Sequence, residues 1–262
     1  GILLDSLTIT GGGVYANLIT NKGPEYIIDS IRVYGKANIS NFFLQKYLGI
    51  ENGSLYKKEK LQDVSRRLME LPYLKEVKAW DISMAGTGSV LNLYLDPKKS
   101  SQVDVLVGFL PATNAPGRTR LQITGEANIN LKNALGAGET IGVNWQQIQV
   151  KSPRLHLLYE HPFLFNTPFG INFNFDMLKK DSSFLNLNTK FGVQYISTGR
   201  QSAMVFLQNA TTNVLPSGID TAQIRINRTL PSYIDASTTN LGVQYTYNNT
   251  DYRFNPRKGN EY

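Results

Sequence analysis

The sequence predicts a small α+β domain followed by an all-β antiparallel meander of the transmembrane-barrel kind, and two textures predict it. The first is strict alternation. Residues 169–177 read Phe-Gly-Ile-Asn-Phe-Asn-Phe-Asp-Met, with every odd position large and apolar and every even one Gly, Asn or Asp. Side chains on a strand point alternately to opposite faces, so this strand has one greasy and one wet face. About eight such strands follow nearly without interruption, and their wet faces carry Asn, Gln and Gly rather than Lys or Glu. That is the pattern of a wall between hydrocarbon and water. The second texture, over residues 25–98, mixes strands with helix-period segments.

In chain order, residues 4–10 and 14–20 flank Gly11-Gly12-Gly13 and read as a hairpin. Two strands alone are marginal in water, so the hairpin needs a further partner. Lys22-Gly23-Pro24 punctuates its exit. Residues 26–34 alternate, with Ile27, Ile31 and Val33 against Asp29 and Arg32, and stop at Gly35. Ser40 is placed to cap a short helix with Phe43, Leu44, Tyr47 and Leu48 on one stripe, ended by Gly49. Residues 58–71 form the clearest helix, with Leu61, Val64, Leu68 and Leu71 on one face and Pro72 as its stop. Strands over 74–83 and 89–95, joined at Gly86-Thr87-Gly88, complete a two-layer α+β unit.

From residue 101 the helical pattern disappears. Strands are predicted at about 102–109, 119–131, 140–149, 153–161, 169–179, 184–196, 202–212 and 237–252. Leu185, Leu187, Phe191, Val193 and Tyr195, for example, oppose Asn186, Asn188, Lys190 and Gln194. A motif recurs as Gly142-Val143-Asn144-Trp145, Gly192-Val193-Gln194-Tyr195 and Gly242-Val243-Gln244-Tyr245. It reads as small and polar inward, apolar then aromatic outward. The connections at 136–138 and 198–200 are tight and the one at 213–236 is long, as expected if short turns occupy one rim and longer loops the other. A soluble β-sandwich also alternates, but its wet face usually carries Lys, Glu and Thr, and its strands are typically about 5–6 residues long.

Composition limits the chemistry. The chain has 262 residues, 14 Tyr, 12 Phe, 2 Trp and no Cys. A disulfide framework, a Cys-based zinc site and a thiol nucleophile are thereby excluded. The net charge of +7 is scattered, which fits a basic surface, an anionic membrane or an acidic ligand, and argues against nucleic acid. No run of about 18 apolar residues predicts a transmembrane helix. The opening Gly1-Ile2-Leu3-Leu4-Asp5 lacks the marks of a signal peptide and reads as the middle of a longer protein. His156 and His161 are the only histidines and face opposite sides of a strand, so they form no chelate. No Gly-x-Ser-x-Gly elbow, phosphate loop or calcium-loop spacing is present. The chain is read as no enzyme, with no cofactor and no metal.

Several motifs then carry a resemblance. Ile31-Arg32-Val33-Tyr34-Gly35, Leu48-Gly49-Ile50-Glu51-Asn52-Gly53-Ser54-Leu55-Tyr56, and Tyr73-Leu74-Lys75-Glu76-Val77 after Arg67-Leu68 resemble a POTRA (polypeptide-transport-associated) domain over 25–98. Residues 1–24 are similar to the last strands of a preceding POTRA. Val107-Gly108-Phe109, Gly125-Glu126-Ala127-Asn128 and Pro256-Arg257-Lys258-Gly259 resemble the barrel of the same superfamily, which includes BamA-like and TamA-like assembly proteins and two-partner secretion transporters. The Tyr- and Asn-rich style is similar to the Bacteroidetes branch of these surface antigens. The fold class implied is a POTRA followed, over 101–262, by the N-terminal half of an outer-membrane β-barrel.

The resemblance implies a function in assembling or translocating β-rich client polypeptides, with the barrel in the outer membrane and the POTRA in the periplasm. It implies client binding by β-augmentation at a POTRA edge of Glu76, Val77, Lys78, Ala79, Trp80, Asp81 and Ile82. There Val77 and Ala79 would also fill the domain core. It implies a gate strand of Val103, Asp104, Val105, Leu106, Val107, Gly108 and Phe109, able to open and template a nascent strand. The expected partners are unfolded outer-membrane or secreted β-rich proteins, outer-membrane lipid, and periplasmic or lipoprotein accessory subunits. Three other readings stand beside it: a secretion pore for one dedicated partner, the membrane anchor of a lipase-fused protein, and a soluble β-sandwich binding module. The upstream sequence separates the first two from assembly, and detergent dependence separates the last.

Overall fold

The computed structural model describes residues 1–20, 25–86, 88–115, 118–147, 149, 151–181, 183–215, 225–226, 228, 235–250 and 256–262. The middle of the long connection expected over 213–236 therefore lies outside the described residues. No described helix is long and apolar enough to cross a membrane.

The first element is a lone antiparallel hairpin, β1 (Ile2–Thr10) and β2 (Gly13–Thr20). Gly11 and Gly12 both have positive φ, +60° and +84°, as a two-residue hairpin turn of the primed type requires. Ile2, Leu4, Leu7, Ile9, Val14 and Leu18 are each more than 60 % exposed.

The α+β domain follows as β3 (Ile27–Tyr34), α1 (Asn41–Leu48), β4 (Ser54–Leu55), α2 (Lys58–Gln62), α3 (Val64–Met69), β5 (Leu74–Ala85) and β6 (Gly88–Pro97). Its sheet order is β4-β3-β6-β5, with β3 and β6 parallel and the helices forming the crossover between them. Ile28, Ile31, Leu44, Leu48, Leu61, Val64, Leu68, Leu91, Leu93 and Leu95 bury against one another. Burial of each such side chain contributes about 1.5–3 kcal/mol. Three details differ from the sequence pattern. The helix expected over 58–71 is two short helices meeting at Asp63, which keeps Leu61, Val64 and Leu68 on one buried stripe. Ser40 makes no side-chain cap; its backbone N–H donates instead to Gly136 O at 2.9 Å. In β3 the register slips between Ile28 and Ser30, so Ile28 joins Ile31 in the core where simple alternation pointed to Ile27. One extra residue in a strand reverses the alternation beyond it.

The hairpin β1–β2 repeats the hairpin β5–β6. Gly13-Val14-Tyr15-Ala16-Asn17-Leu18-Ile19-Thr20 runs parallel in sequence to Gly88-Ser89-Val90-Leu91-Asn92-Leu93-Tyr94-Leu95. Each hairpin turns through two residues and sets an Asp opposite the shared Asn, Asp5↔Asn17 and Asp81↔Asn92. Leu91 and Leu93 are fully buried beneath helices, whereas Leu18 is 61 % exposed.

The second half is an eight-stranded antiparallel meander: β7 (Gln102–Ala115), β8 (Arg118–Lys132), β9 (Thr140–Gln147), β10 (Arg154–His161), β11 (Phe169–Lys180), β12 (Phe184–Thr198), β13 (Gln201–Val214) and β14 (Ala236–Tyr247). Each strand pairs with its sequence neighbours, and the sheet is unclosed between β7 and β14. The register aligns the outer face into rows. One row reads Phe173, Phe191, Leu207, Leu241, and the next Ile171, Val193, Val205, Val243. The row that begins Val103, Ile129, Val143, Leu157, Phe175 turns polar at Thr189, Asn209 and Thr239. The apolar band therefore climbs across the sheet. Its centre moves by about seven residues over seven strand-to-strand steps, which at roughly 3.4 Å per residue and 4.8 Å per strand is a tilt of about 35°. Barrel strands tilt by about that angle, so the oblique band is level when the strands cross a membrane.

The recurring glycines point inward. Leu158 Cβ lies 3.1 Å from where a Cβ of Gly142 would stand, and Met204 Sδ 2.6 Å from that of Gly192. A Cβ at Gly242 would overlap the Phe206 ring. Phe206 sits directly between Gly192 and Gly242 in the register, with Lys190 Nζ 4.0 Å above its ring. The connections at 136–138 and 198–200 face the α+β domain and the long one after Val214 leaves from the far rim, as expected, but the sorting by length is not strict. The turns facing the α+β domain span 133–139, 162–168 and 199–200, and the first two are longer than the 181–183 turn on the far rim.

Gly242→Val is expected to overpack the Phe206 row and cost about 1–3 kcal/mol, with Phe206→Leu in the same chain recovering most of it. Thermal melting of the three variants in detergent micelles measures this.

Candidate functional site: two sheet edges and the junction between them

The edge predicted over Glu76–Ile82 is an edge. β5 has β6 on one side and no strand on the other among the described residues. It is not a regular edge, because the register with β6 slips between Glu76 and Lys78 and again between Lys78 and Asp81. The two extra residues turn Val77 and Ala79 outward, and Val77 is 60 % exposed. The expectation that Val77 and Ala79 fill the core is therefore corrected; Trp80 and Ile82 pack against it instead. Glu76 Oε1 accepts from Ser65 Oγ at 2.9 Å and from the Trp80 N–H at 3.3 Å, which fixes the first bulge. On the far face of the sheet, Asp81 accepts from Asn92 Nδ2 (2.7 Å), Tyr94 Oη (2.8 Å) and Lys78 Nζ (3.1 Å). Lys78 Nζ lies 4.4 Å above the Tyr94 ring, and Tyr94 stacks on Tyr34 at 5.3 Å. The bond from Asn92, then those from Tyr94 and Lys78, hold the Asp81 carboxyl below its usual range, and Asp81 raises Lys78 and Tyr94 in turn.

The predicted gate residues Val103, Asp104, Val105, Leu106, Val107, Gly108 and Phe109 all lie in β7, the other open edge. Val103, Val105, Val107 and Phe109 continue the outer apolar rows, at 60–67 % exposure. The inner face of β7 is unlike its neighbours'. Asp104, paired with Asn128, is polar, but Leu106 and Leu110 are apolar, 69 % and 45 % exposed, with Gly108 between them. On the opposite side of the sheet, Tyr262 exchanges backbone hydrogen bonds with Tyr247 at 2.8–2.9 Å, so the chain after Pro256-Arg257-Lys258-Gly259 begins to pair with β14. The two histidines separate as expected. His156 faces inward against Asp176 (2.7 Å), and His161 outward beside Tyr159 Oη (3.0 Å).

What the sequence reading missed is the joint between the two halves. Phe163, in the turn between β10 and β11, is 7 % exposed and sits edge-on to Phe42 and Phe43 of α1 at 6.1 and 5.7 Å. Ile196, near the end of β12, is buried in the same cluster. Gly138 and Gly199 let α1 approach: a Cβ at Gly138 would enter the Phe43 ring, and one at Gly199 would come within 2.8 Å of the Tyr47 ring. The turn 133–139 is stiffened from within. The wholly buried Glu139 carboxylate accepts the backbone N–H groups of Leu135 and Ala137. Asn133 Oδ1 accepts from Gly138 N, while its Nδ2 donates to Asn38 O of the α+β domain at 2.9 Å. Arg67 Nη1 donates to Tyr47 O at 2.8 Å, and burial together with the neighbouring Arg200 lowers the Arg67 pKa. Between α1 and the mouth of the sheet lies a cleft of about 850 Å³, with Phe43, Tyr47 and Glu70 on one wall and Lys132, Glu160 and Arg200 on the other. A signal for the joint existed: Phe163-Leu164-Phe165 places three large apolar residues inside a turn, where solvent exposure predicts polar ones.

Residues 26–107 match the family model of the POTRA, described as a surface antigen variable number repeat. No curated protein sequence matches the chain. Among solved structures, BamA from Haemophilus ducreyi lacking POTRA domains 1–3 is 13 % identical, covering 98 % of this chain and 51 % of its own, with a TM-score of 0.54. CdiB from Acinetobacter baumannii is also 13 % identical, covering 90 % of this chain and 44 % of its own, at a TM-score of 0.44. CdiB from Escherichia coli covers 94 % and 46 % at 13 % identity and a TM-score of 0.46. The chain spans about half the length of the solved BamA.

Phe163→Ala is expected to loosen the joint by about 3 kcal/mol, the low end for a buried Phe. Amide hydrogen exchange in α1 and the 133–139 turn then quickens roughly a hundredfold while β6 is unchanged. Asp81 predicts an acid dependence. Its folded pKa lies below its unfolded value, so its contribution is complete above the ordinary carboxylate range and is lost as pH falls through the folded value. Asp81→Asn therefore flattens the acid limb of unfolding, read from Trp80 fluorescence in a Trp145→Phe background.

Proposed function

We propose, from the premise that residues 26–107 are a POTRA domain set directly before an antiparallel sheet with the fold of a BamA barrel half, that this chain helps deliver β-rich polypeptides into or across an outer membrane. The barrel half crosses the outer membrane, the POTRA stands in the periplasm, and the work consumes no cofactor. The observation that carries the reading is the oblique apolar band of the sheet, which fits a tilted membrane crossing and follows directly on the residues that match the POTRA model; β7 is the strand at one end of that sheet among the described residues. Unpaired N–H and C=O groups in hydrocarbon cost several kcal/mol each, so that edge favours any strand that pairs with it. An incoming chain gains main-chain hydrogen bonds without needing one sequence.

The POTRA edge plays a narrower part. Its two bulges break the row of donors and acceptors between Glu76 and Asp81, which leaves the short regular stretches on either side, 74–76 and 81–85, for β-augmentation. The repeat of the β5–β6 hairpin in β1–β2 supports reading residues 1–24 as the end of a second POTRA, whose helices would cover Leu4 and Leu18.

Neighbouring N–H groups on a strand point to opposite sides, so of Val105 and Leu106 one donates toward β8 and the other toward the free edge. One of Val105→Pro and Leu106→Pro therefore lowers the melting temperature, and the other leaves it unchanged. The second variant is expected to lower the folded outer-membrane β-barrel proteins of cells that depend on it by about tenfold. Heat-modifiable gel bands measure them. Normal levels in that variant would sink the proposal, and loss of one exported protein alone would identify a dedicated secretion pore instead.

A further inference from the structure

Two turns on the rim that faces the POTRA each hold that domain with one part and leave a large apolar side chain exposed with another. In the turn 133–139 the Gly136 carbonyl accepts from Ser40 N and Asn133 Nδ2 donates to Asn38 O, while Leu135 is 65 % exposed. In the turn 162–168 Phe163 is buried against Phe42 and Phe43, while Phe165 is 87 % exposed. The turns join interior strands, β8 to β9 and β10 to β11, so this exposure does not come from an open end of the sheet. At roughly 4.8 Å per strand the two turns stand about 10 Å apart.

Both tips are held in place from within. The Leu135 N–H is bonded to the buried Glu139 carboxylate. Phe163, Phe165 and Asn166 all have left-handed backbone, at φ +53°, +53° and +57°. An L side chain enters that region at a cost in free energy, which Phe163 offsets by burying its ring and Phe165, at 87 % exposure, does not. The chain sets both tips beside the apolar rows. Leu135 lies four residues past Leu131, the last outward residue of β8, and Phe165 four residues before Phe169, the first of β11. Four residues span at most about 13 Å when fully extended, and a turn folds back within that, so both tips reach the headgroup layer, about 5–8 Å thick. Residues 133–138 and 162–168 contain no Lys, Arg, Asp or Glu, and Glu139 is wholly buried. The far-rim connections at 148–153 and 181–183 carry exposed Lys151 and Asp181 instead. An apolar tip without charge enters the boundary between headgroups and acyl chains with no charge to desolvate.

We infer that Leu135 and Phe165 are a pair of membrane anchors that dip into the phospholipid leaflet on the POTRA side of the barrel, tying the POTRA to the bilayer through the two turns that hold it. The inference rests on the membrane-crossing reading of the sheet. Lipid at the tips and α1 at the bases then act on the same two turns, so the leaflet takes part in positioning the domain.

The test places the photoreactive residue p-benzoylphenylalanine at position 165 of the full-length protein. The protein is irradiated in vesicles of phosphatidylethanolamine and phosphatidylglycerol, and in the membrane fraction of its own cells. Mass spectrometry of the labelled peptide is expected to show a shift by one phospholipid in both settings. Its yield is expected to be at least about threefold above that from the same residue at Met84, which is exposed near the β5–β6 turn and away from the Pro97 end that leads into the sheet. Position 135 gives the same reading from the second turn, on a backbone that is not left-handed. Position 173, inside the apolar rows, is the reference for membrane insertion. A lipid adduct at 173 with none at 165 or 135 would overturn the anchors and leave the membrane reading standing. Lipid adducts at none of the three would overturn the membrane reading itself. A protein adduct in place of lipid at 165 and 135, to a second copy or to another chain, would overturn the anchors as well.

Discussion

A peptide group in hydrocarbon has no water to bond, so it must find another peptide group. The second half of this chain is arranged as that constraint requires. Each of the strands β8 to β13 has a neighbour on both sides, so most of their backbone pairs within the sheet whatever their side chains, although Arg118–Thr124 of β8 pairs with β7 alone. The side chains are then free to sort by face, and the register sorts them into apolar rows outward and Asn, Gln and Gly inward. The band they form runs obliquely to the rows. In a soluble sandwich an oblique band has no purpose, because water lies at every height. In a tilted barrel such a band runs level with a membrane.

The same constraint sets the ends of the sheet apart from its interior. Among the described residues β7 and β14 are the end strands, and β7 is also the strand whose inner face departs from the rule by presenting Leu106 and Leu110. The edge of β5 also lacks a partner strand among the described residues, and two bulges blunt it. Between the two edges stands the joint. Phe163 is held in the left-handed region at φ +53° in a turn that must pass beneath α1, and its ring completes a cluster with Phe42 and Phe43. The barrel half thus contributes Phe163 and Ile196 to the core of the domain before it, and the position of the POTRA over the cleft is set by packing rather than by the short 98–101 connection alone.

Much of this was legible from residue order. Alternation located all eight strands of the meander, and in the part before it Gly49 marked the end of α1 and the glycine turns marked the two hairpins, because these signals are local and depend on backbone geometry alone. Val103–Phe109 fell together on one strand, and His156 and His161 on opposite faces, for the same reason. The failures share a cause. Val77 and Ala79 were assigned to the core by parity, and Ile27 in place of Ile28 likewise, because parity carries through a strand only if no residue is inserted against its partner. A bulge is a property of two strands, and one strand's sequence does not display it.

The sequence by itself determined the strands, their inner and outer faces and the α+β domain before them, since each follows from a period of two or of three to four along one segment. Only the tertiary structure decided what depends on pairs of segments: the bulges that reshape the β5 edge, the tilt of the apolar band, and the seating of Phe163 under α1. Those are set by register and by packing between elements distant in the chain, where neither partner's local sequence contains the other.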